Sequence, residues 1–361
     1  MATLGDVLEK IVGGGTPSKS NPTYWGGDIP WATVKDMADN KFSLIDTKDH
    51  ISEAGLKNSS SNLIPAGTVI TSTRMGLGRA FINKVDVAIN QDLKALIPNE
   101  KIDNRYLLWT IVNKRKYIES IGSGTTVKGI RLEQLRNIDI GDTPLEVQRK
   151  VAKVLGSYNN LVENNSKRIE NLEAMARLLY RHYFDVSDAT DWEKVKIGDI
   201  LGKVPTSAKL QKSEYLDEGI YPVIDQGKEY IAGYTNKQEA IITDKLPLTV
   251  FGDHTRAVKL AQDPFARGAD GTQIVVSDIL PPYYLYQTIK DSPLSNEHYA
   301  RHFKLLKATE IARPPEDILS EFESKVEPVF ILINTLTKQN RSLAKARDML
   351  LPRLMSGEIK L

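Results

Sequence analysis

The chain has 361 residues, a length typical of two or three domains, and its 41% hydrophobic and 26% charged residues are typical of globular proteins. It lacks cysteine, which excludes disulfides, thiolate metal sites and cysteine nucleophiles. Its 48 basic and 46 acidic side chains give a net charge of only +2, which argues against a non-specific polyelectrolyte binder of nucleic acid. No apolar stretch is long enough to cross a bilayer, so we expect no membrane partner and a cytoplasmic location.

The first region, residues 1–143, combines short β-like runs such as Gly67–Thr73 with turns and occasional helices. Its glycine-rich stretch Gly13–Ser20 approximates a phosphate-binding P-loop. The P-loop pattern requires glycine before the lysine, but Ser18 stands there, and Pro17 removes a backbone donor. We therefore interpret the stretch as a packed turn. A nucleotide-binding enzyme stays open as an alternative, which nucleotide binding by the isolated chain would reveal.

A long helix is predicted over residues 144–186, because a mostly apolar set of positions follows alternating steps of three and four residues. They are Leu155, Tyr158, Val162, Asn165, Ile169, Leu172, Ala176, Leu179 and Tyr183. A polar connector, Asp185–Asp191, leads into a second globular region, 187–313, with strand-like runs at Leu248–Phe251 and Thr272–Val276.

The last region, residues 314–361, repeats the first helix at a constant offset of 171 residues. The same steps select Val326, Val329, Ile333, Leu336, Asn340, Leu343, Arg347, Leu350 and Leu354. A period of 3.5 residues is typical of a coiled-coil seam, and each helix of about 40 residues would be about 60 Å long. We therefore predict an α+β fold with an internal pseudo-twofold repeat, in which two globular domains are separated by two long helices packed as an antiparallel coiled coil.

One asparagine interrupts each seam, at Asn165 and Asn340. An antiparallel register that pairs Leu155 with Leu350 and Leu172 with Ile333 also makes the two asparagines partners. Paired asparagines in an apolar seam fix register at some cost in stability. We state this register as a hypothesis, with a shift of one heptad as its main competitor.

Motifs over nearly the whole chain share one resemblance. They are Gly13–Trp31, Pro65–Ile70, Ser72–Arg79, Asn90–Lys94, Pro144–Arg149, Asn171–Arg177, Phe251–Arg256, Gly268–Thr272 and Arg347–Glu358. Together they resemble the specificity (S) subunit of type I restriction-modification systems. One departure is Leu319, where the repeat of Gln148 would predict a glutamine; there we expect partner contacts to differ.

The resemblance implies that residues 1–143 and 187–313 are target recognition domains, each reading one half of a bipartite site in double-stranded DNA. The two helices would set the spacing and bind two methyltransferase subunits. S-adenosylmethionine, ATP and Mg are expected on partner subunits, and this chain is expected to be non-catalytic, with no metal or cofactor of its own. The sequence leaves open the bases read, the spacer length, the presence of a restriction subunit and the oligomeric state of the isolated chain.

Candidate DNA contacts are side chains in loops that can donate to base edges or phosphates. In the first domain we favour Arg74 and Arg79, because glycines around them allow close approach to a duplex. The further candidates are Lys19, Lys35 and Lys128 in the first domain, and Lys228, His254, Arg256 and Arg267 in the second. For each the alternative is a solvated charge, and in the second domain Asp225, Asp253 and Asp270 could pair with the cations instead.

A second class of function stays open at this stage, a coiled-coil adaptor that binds proteins and never DNA. The near-neutral charge is compatible with it. Methylation mapping in cells with and without the chain distinguishes the two, because only a specificity subunit makes a bipartite methylated motif depend on its presence.

Overall fold

The computed structural model of the chain describes residues 2–124, 128–185, 192–292 and 301–361. The predicted connector therefore lies, apart from Asp185, outside the described residues. The chain forms two compact units: unit 1 comprises Met1–Asn164 with Gln339–Leu361, and unit 2 comprises Asn165–Lys338. Among the described helices, none is both long and apolar enough to cross a membrane.

Unit 1 contains a five-stranded sheet, a four-stranded sheet and the two-stranded pair β1–β11. Its strands are β1 (Ala2–Thr3), β2 (Leu8–Val12), β3 (Trp25–Ala32), β4 (Ser43–Leu44), β5 (Asp49–Ile51), β6 (Asn62–Ile64), β7 (Val69–Ser72), β8 (Ala80–Asn83), β9 (Val87–Ile89), β10 (Leu93–Pro98) and β11 (Asp139–Gly141). Its short helices are α1 (Glu53–Lys57), α2 (Asn104–Asn113), α3 (Arg115–Ile121) and α4 (Leu132–Arg136), followed by the first long helix, α5 (Leu145–Phe184), whose second half belongs to unit 2.

In the two larger sheets of unit 1, central strands are made of buried residues. One sheet has the order β2-β10-β7-β8-β4 and the other β5-β3-β9-β6, in which β9 runs parallel to β3 and antiparallel to β6. The central strands β7 and β9 are buried along their whole length, as expected for strands covered on both faces. Helix α2 covers β7 and β8, and its first turn is capped by Asp103, whose carboxylate accepts from the backbone N–H of Arg105 and Tyr106.

Unit 2 has strands β12 (Glu193–Lys196), β13 (Tyr221–Ile224), β14 (Gly233–Thr235), β15 (Ile241–Ile242), β16 (Leu248–Gly252), β17 (Val258–Ala261), β18 (Phe265–Arg267), β19 (Thr272–Val275) and β20 (Glu310–Arg313). Its helices are α6 (Pro282–Asp291), α7 (His302–Ala308) and most of the second long helix, α8 (Glu316–Met355).

The strand order of unit 2 repeats that of unit 1. The sheet β14-β13-β18-β15 has the same neighbours and directions as β5-β3-β9-β6, with one parallel pair in each. The strands β17-β16-β19 repeat β8-β7-β10, and the pair β12–β20 repeats β1–β11. The duplication that the sequence reveals in the helices therefore extends through both sheet-rich regions, and the predicted α+β fold is confirmed.

The two long helices pack antiparallel in each unit. In unit 1, Leu155 from the first half of α5 lies in one core with Leu351 and Leu354 from the end of α8. In unit 2, Tyr183 from the end of α5 lies against Phe322 from the start of α8, with ring centroids 5.9 Å apart. The predicted pair of 40-residue helices is confirmed. Asn165 and Asn340 fall in different units, so their pairing stays a prediction.

The departure at Leu319 has a structural explanation inside the fold. In unit 1 the buried Gln148 accepts from the backbone N–H of Asp103 (2.8 Å) and donates to the carbonyls of Thr143 (2.9 Å) and Lys101 (3.2 Å), which holds the start of α2. Leu319 is a core residue of unit 2. The anchoring role lies one helical turn further along α8, where Glu323 accepts from the backbone N–H groups at the start of α6.

Candidate nucleic-acid interface

Loops gather at one edge of the sheets in unit 1. Strands β3 and β9 run parallel and end together at Ala32 and Ile89, β7 ends beside them, and β8 and β10 begin there. We call residues 13–20, 33–36, 73–79, 90–92 and 128–129 the loop edge of unit 1. All five cations predicted for the first domain lie in it: Lys19, Lys35, Arg74, Arg79 and Lys128.

The glycine-rich loop is shaped by packing. A Cβ on Gly14 would lie 1.9 Å from the carbonyl oxygen of Ile89, and one on Gly15 would lie 2.1 Å from the Ser60 hydroxyl. The indole N–H groups of Trp31 and Trp25 each donate to a carbonyl of this loop at 3.1 Å. These glycines are therefore required for close approach of the chain to its own core, which agrees with the interpretation of the stretch as a packed turn. Lys19, which follows the glycines in the same loop, has an exposed side chain.

Arg74 lies at the centre of this edge. Its side chain is 54% exposed, and its guanidinium lies 3.6 Å from the carboxylate of Asp92. Its backbone forms a bridge with Gly129, which brings the segment carrying Lys128 alongside. Arg74 follows a buried strand and precedes three residues with positive φ, Met75, Gly76 and Gly78, so a tight turn presents it to solvent.

Lys94 was missed by sequence reasoning and lies behind Arg74. It is half-buried, and its ammonium donates to the carbonyls of Gln91 (2.7 Å) and Leu93 (3.1 Å). Burial lowers its pKa, Asp92 acts in the opposite direction, and the nearby Arg74 charge lowers it further. Lys94 thus fixes the 90–92 loop, which Thr16 also contacts through Gln91 at 2.6 Å.

Arg79 differs from Arg74 in its surroundings. Its guanidinium donates to both carboxylate oxygens of Asp39, at 3.0 and 3.3 Å, and Arg115 donates to the same carboxylate at 2.6 Å. Burial acts to raise the pKa of Asp39, but hydrogen bonds from Arg115 and Arg79 bring it below its ordinary value. Arg79 is therefore part of an ion-pair cluster that fixes the base of the 73–79 turn. Lys35 and Lys128 have exposed side chains.

Unit 2 has a loop edge at the corresponding ends of its strands. Residues 225–229 follow β13, residues 253–257 join β16 to β17, and residues 268–271 follow β18. Gln226 connects the three, because its carbonyl accepts from Thr255, its side chain accepts from the backbone N–H of His254, and it packs against Gly271. This edge carries the four cations predicted for the second domain: Lys228, His254, Arg256 and Arg267.

These four side chains lie in different settings. Lys228 and His254 are exposed, and Arg256 is half-buried with a φ of +60°. Arg267 turns inward, where it donates to the carbonyl of Thr272 at 2.9 Å, and burial lowers its pKa. We expect Arg267 to shape the 268–271 turn more than to reach DNA.

Two of the acids that could neutralise these cations are engaged within the fold. The carboxylate of Asp253 accepts from the backbone N–H of Phe303 at 2.8 Å. Asp225 accepts from the N–H of Gly227 at 2.7 Å and lies 3.8 Å from the ammonium of Lys259. Asp270 is exposed at the loop edge, beside the candidate cations.

Lys259 is a second residue that the sequence pattern does not single out. Its side chain is 5% exposed, and its ammonium donates to the carbonyls of Asp225 (2.8 Å) and Glu229. Burial lowers its pKa, against the effect of the Asp225 and Glu229 charges. It stabilises the 225–229 loop from beneath, as Lys94 stabilises the 90–92 loop.

Of the described residues, no three acids or histidines are grouped as a metal site would require.

Comparison with known proteins gives a consistent result. Residues 1–174 match the family model described as the Type I restriction modification DNA specificity domain. The chain is 28% identical over 403 residues to the Type I restriction enzyme MjaIX specificity subunit of Methanocaldococcus jannaschii, an alignment that covers 98% of this chain and 92% of that protein. It is 31% identical over 193 residues to the Type I restriction enzyme EcoR124I/EcoR124II specificity subunit of Escherichia coli, over 51% of this chain and 46% of that protein.

A solved structure supports the fold. The crystal structure of a type I restriction-modification system S subunit from M. genitalium matches with a TM-score of 0.60 and 17% identity, over 98% of this chain and 94% of that chain. This match supports the fold, and the family-model and sequence matches above confirm the resemblance predicted from the motifs.

Proposed function

We propose that this chain, whose residues 1–174 match the Type I restriction modification DNA specificity domain, recognises a bipartite site in double-stranded DNA. Each loop edge reads one half-site, and the chemistry is done by partner subunits that carry S-adenosylmethionine, ATP and Mg. The chain itself contributes no catalytic group.

The observation that carries this proposal is that all nine candidate cations lie at loop edges formed by corresponding strand ends in the two units. Duplicated scaffolds that differ in their loops are suited to reading two different short sequences. Phosphate contacts position a protein and base contacts give specificity, so we assign the exposed Arg74 to a base edge in the first half-site. Lys19, Lys35 and Lys128 then contact phosphates around it.

In the second unit, His254 and Arg256 hold the position of Arg74, because they also lie in the turn between two antiparallel strands. Lys228 corresponds to Lys35, since each follows the strand that pairs in parallel with its neighbour. We assign these three side chains to the second half-site. Arg79 and Arg267 support the loops from within.

The long helices are the proposed attachment sites for two methyltransferase subunits. Leu161 and Leu178 on α5 are 51% and 65% exposed, and Ile331 and Met349 on α8 are 51% and 61% exposed. Apolar side chains on the outside of a helix pair are typical of surfaces that a partner covers.

The test uses the complete chain with its methyltransferase partner in cells, followed by mapping of methylated bases. We expect a bipartite motif that disappears when the chain is deleted. Arg74→Ala should relax one half of that motif by about 1–3 kcal/mol of discrimination and leave the other half unchanged.

The matched control is Lys101→Ala, an exposed cation that follows the opposite end of β10 from the loop edge. It should leave both halves of the motif as they are in the wild type. Methylation that persists at the same sites without the chain would refute the proposal and favour the adaptor. An equal loss at every sequence in Arg74→Ala would reassign Arg74 to a phosphate.

A further inference from the structure

A fully buried arginine connects the second long helix to the sheet region of unit 1. Arg347 lies on α8 with 0% exposure, in a seam whose other positions are apolar except for Asn340. The equivalent position in α5, 171 residues earlier, is Ala176, which is also fully buried. A buried charge is unfavourable unless it is paired and hydrogen-bonded, so this arginine requires specific partners.

The partners of Arg347 come from two directions. Within the helix pair, it donates to Asp348 at 2.9 Å and to Asn159 of α5 at 3.4 Å. Toward the sheet region, it donates to the side-chain oxygen of Asn40 at 2.8 Å, and its guanidinium lies 4.7 Å from the ring centroid of Phe42. The helix thus holds the segment 40–42 through a charge-assisted hydrogen bond and a cation–π contact.

Asn40 has a φ of +67°, a left-handed conformation that asparagine adopts more readily than most residues. This conformation sets the direction of the preceding residue, Asp39. Asp39 holds Arg79 and Arg115 through the ion pairs described above. Arg79 is the last residue of the turn that presents Arg74. A continuous series of short contacts therefore runs from the long helix to the base of the DNA-reading turn.

We propose that Arg347 is a positioning residue for sequence reading by unit 1: through Asn40 and Asp39 it fixes the turn that carries Arg74 relative to the long helix. The inference rests on the proposed function. It adds that the helix takes part in reading one half-site, because a guanidinium inside the helix seam determines where the reading turn stands. In unit 2 the equivalent alanine offers no such link, so the effect is confined to one half of the motif.

The experiment compares three variants of the full chain in complex with its methyltransferase: Arg347→Met, Asn40→Gly and the double variant. Met keeps an unbranched side chain over Phe42 but removes every donor. Gly permits the positive φ at position 40 but removes the acceptor. We expect each single variant to reduce discrimination at the half-site read by unit 1 by about 2- to 30-fold, with the other half-site unchanged. The double variant should lose no more than the larger single effect, because both changes break one link.

A control separates positioning from loss of stability. Val151→Ala truncates an apolar core residue of the same unit, whose side chain takes no part in the hydrogen bonds and ion pairs of Arg347, Asn40 and Asp39, so it should lower the melting temperature without changing the ratio between correct and incorrect half-sites. If Arg347→Met behaves like Val151→Ala, or if it relaxes both half-sites equally, the inference is wrong. A wild-type complex that reads no half-site overturns the proposed function as well, whereas wild-type reading that Asn40→Gly and Arg347→Met both leave unchanged overturns this inference alone.

Discussion

The replacement Glu323→Gln tests how the anchor of α6 differs from that of α2. Glu323 accepts from the backbone N–H of Tyr284 at 2.7 Å and of Tyr283 at 3.4 Å. Burial raises the pKa of this carboxyl to about 7, the negative charge of Glu327 acts in the same direction, and the two backbone hydrogen bonds partly oppose them. Glutamine keeps the accepting oxygen and removes the charge.

The magnitude follows from proton linkage. The ordinary pKa of the group is 4.5, so between pH 4.5 and about 7 the folded chain holds a proton that the unfolded chain has lost. The contribution of this proton to the free energy of unfolding is fully present below pH 4.5, and it is lost as the pH rises through the pKa of the folded chain. At about 1.4 kcal/mol for each unit of pKa shift, the loss amounts to about 3 kcal/mol by pH 8.

The assay is urea unfolding of the wild type and of Glu323→Gln at pH 5, 6, 7 and 8. The difference between the two curves cancels every other titrating group. We expect Glu323→Gln to become more stable relative to the wild type as the pH rises, by about 2.5 kcal/mol between pH 5 and pH 8. Glu316→Gln, an exposed control on the first turn of α8, should follow the wild type. A difference that does not change with pH would show that the carboxyl is not held in its neutral form.

Two further replacements test the buried supports. Gln148→Glu puts a carboxylate oxygen where the amide donates to the carbonyls of Thr143 and Lys101, and we expect it to destabilise unit 1 by about 3 kcal/mol at pH 8 in urea unfolding, with a smaller loss at pH 4. Lys259→Met removes the ammonium that holds the 225–229 loop, so discrimination at the second half-site should fall in competition binding. The free energy of unfolding should change by less than about 2 kcal/mol, because the cost of burying the charge is also removed. Unchanged discrimination would remove Lys259 from the reading machinery.

The long helices could be predicted closely from the sequence, because their period is local information. The predicted start near Pro144 and the observed Leu145 differ by one residue. The sheets could not be predicted in the same way. The parallel pairing of β3 with β9 joins residues more than fifty positions apart, and no local pattern specifies it. The repeat of strand order in the two units is clear in the structure, whereas the loops between the strands differ too much in sequence to reveal it.

The candidate site was predictable in position and less so in detail. Glycines and turn residues locate the loops, which is why the stretch around Arg74 was favoured, and the structure places Arg74 at a loop edge with an exposed side chain. The sequence does not show that Arg79 has a partner at Asp39, forty positions away, or that Lys259 points inward from a strand. Glu323 was missed for the same reason, since its effect depends on a helix that begins forty residues earlier in the chain.

Under the proposed function, the cations engaged within the fold limit the number of phosphate contacts that the chain can make. Four cations hold loops and helices through contacts within the fold: Arg79, Lys259, Arg267 and Arg347. Only a few exposed cations at each loop edge are therefore available to contact phosphates. Non-specific affinity grows with the number of phosphate contacts, each adding about −0.9 to the slope of log K against log salt. A chain with few such contacts binds random DNA weakly and discriminates through well-placed donors. Under the proposed function, the subunits attached to the long helices supply the further positive charge, which would join sequence reading to assembly of the complex.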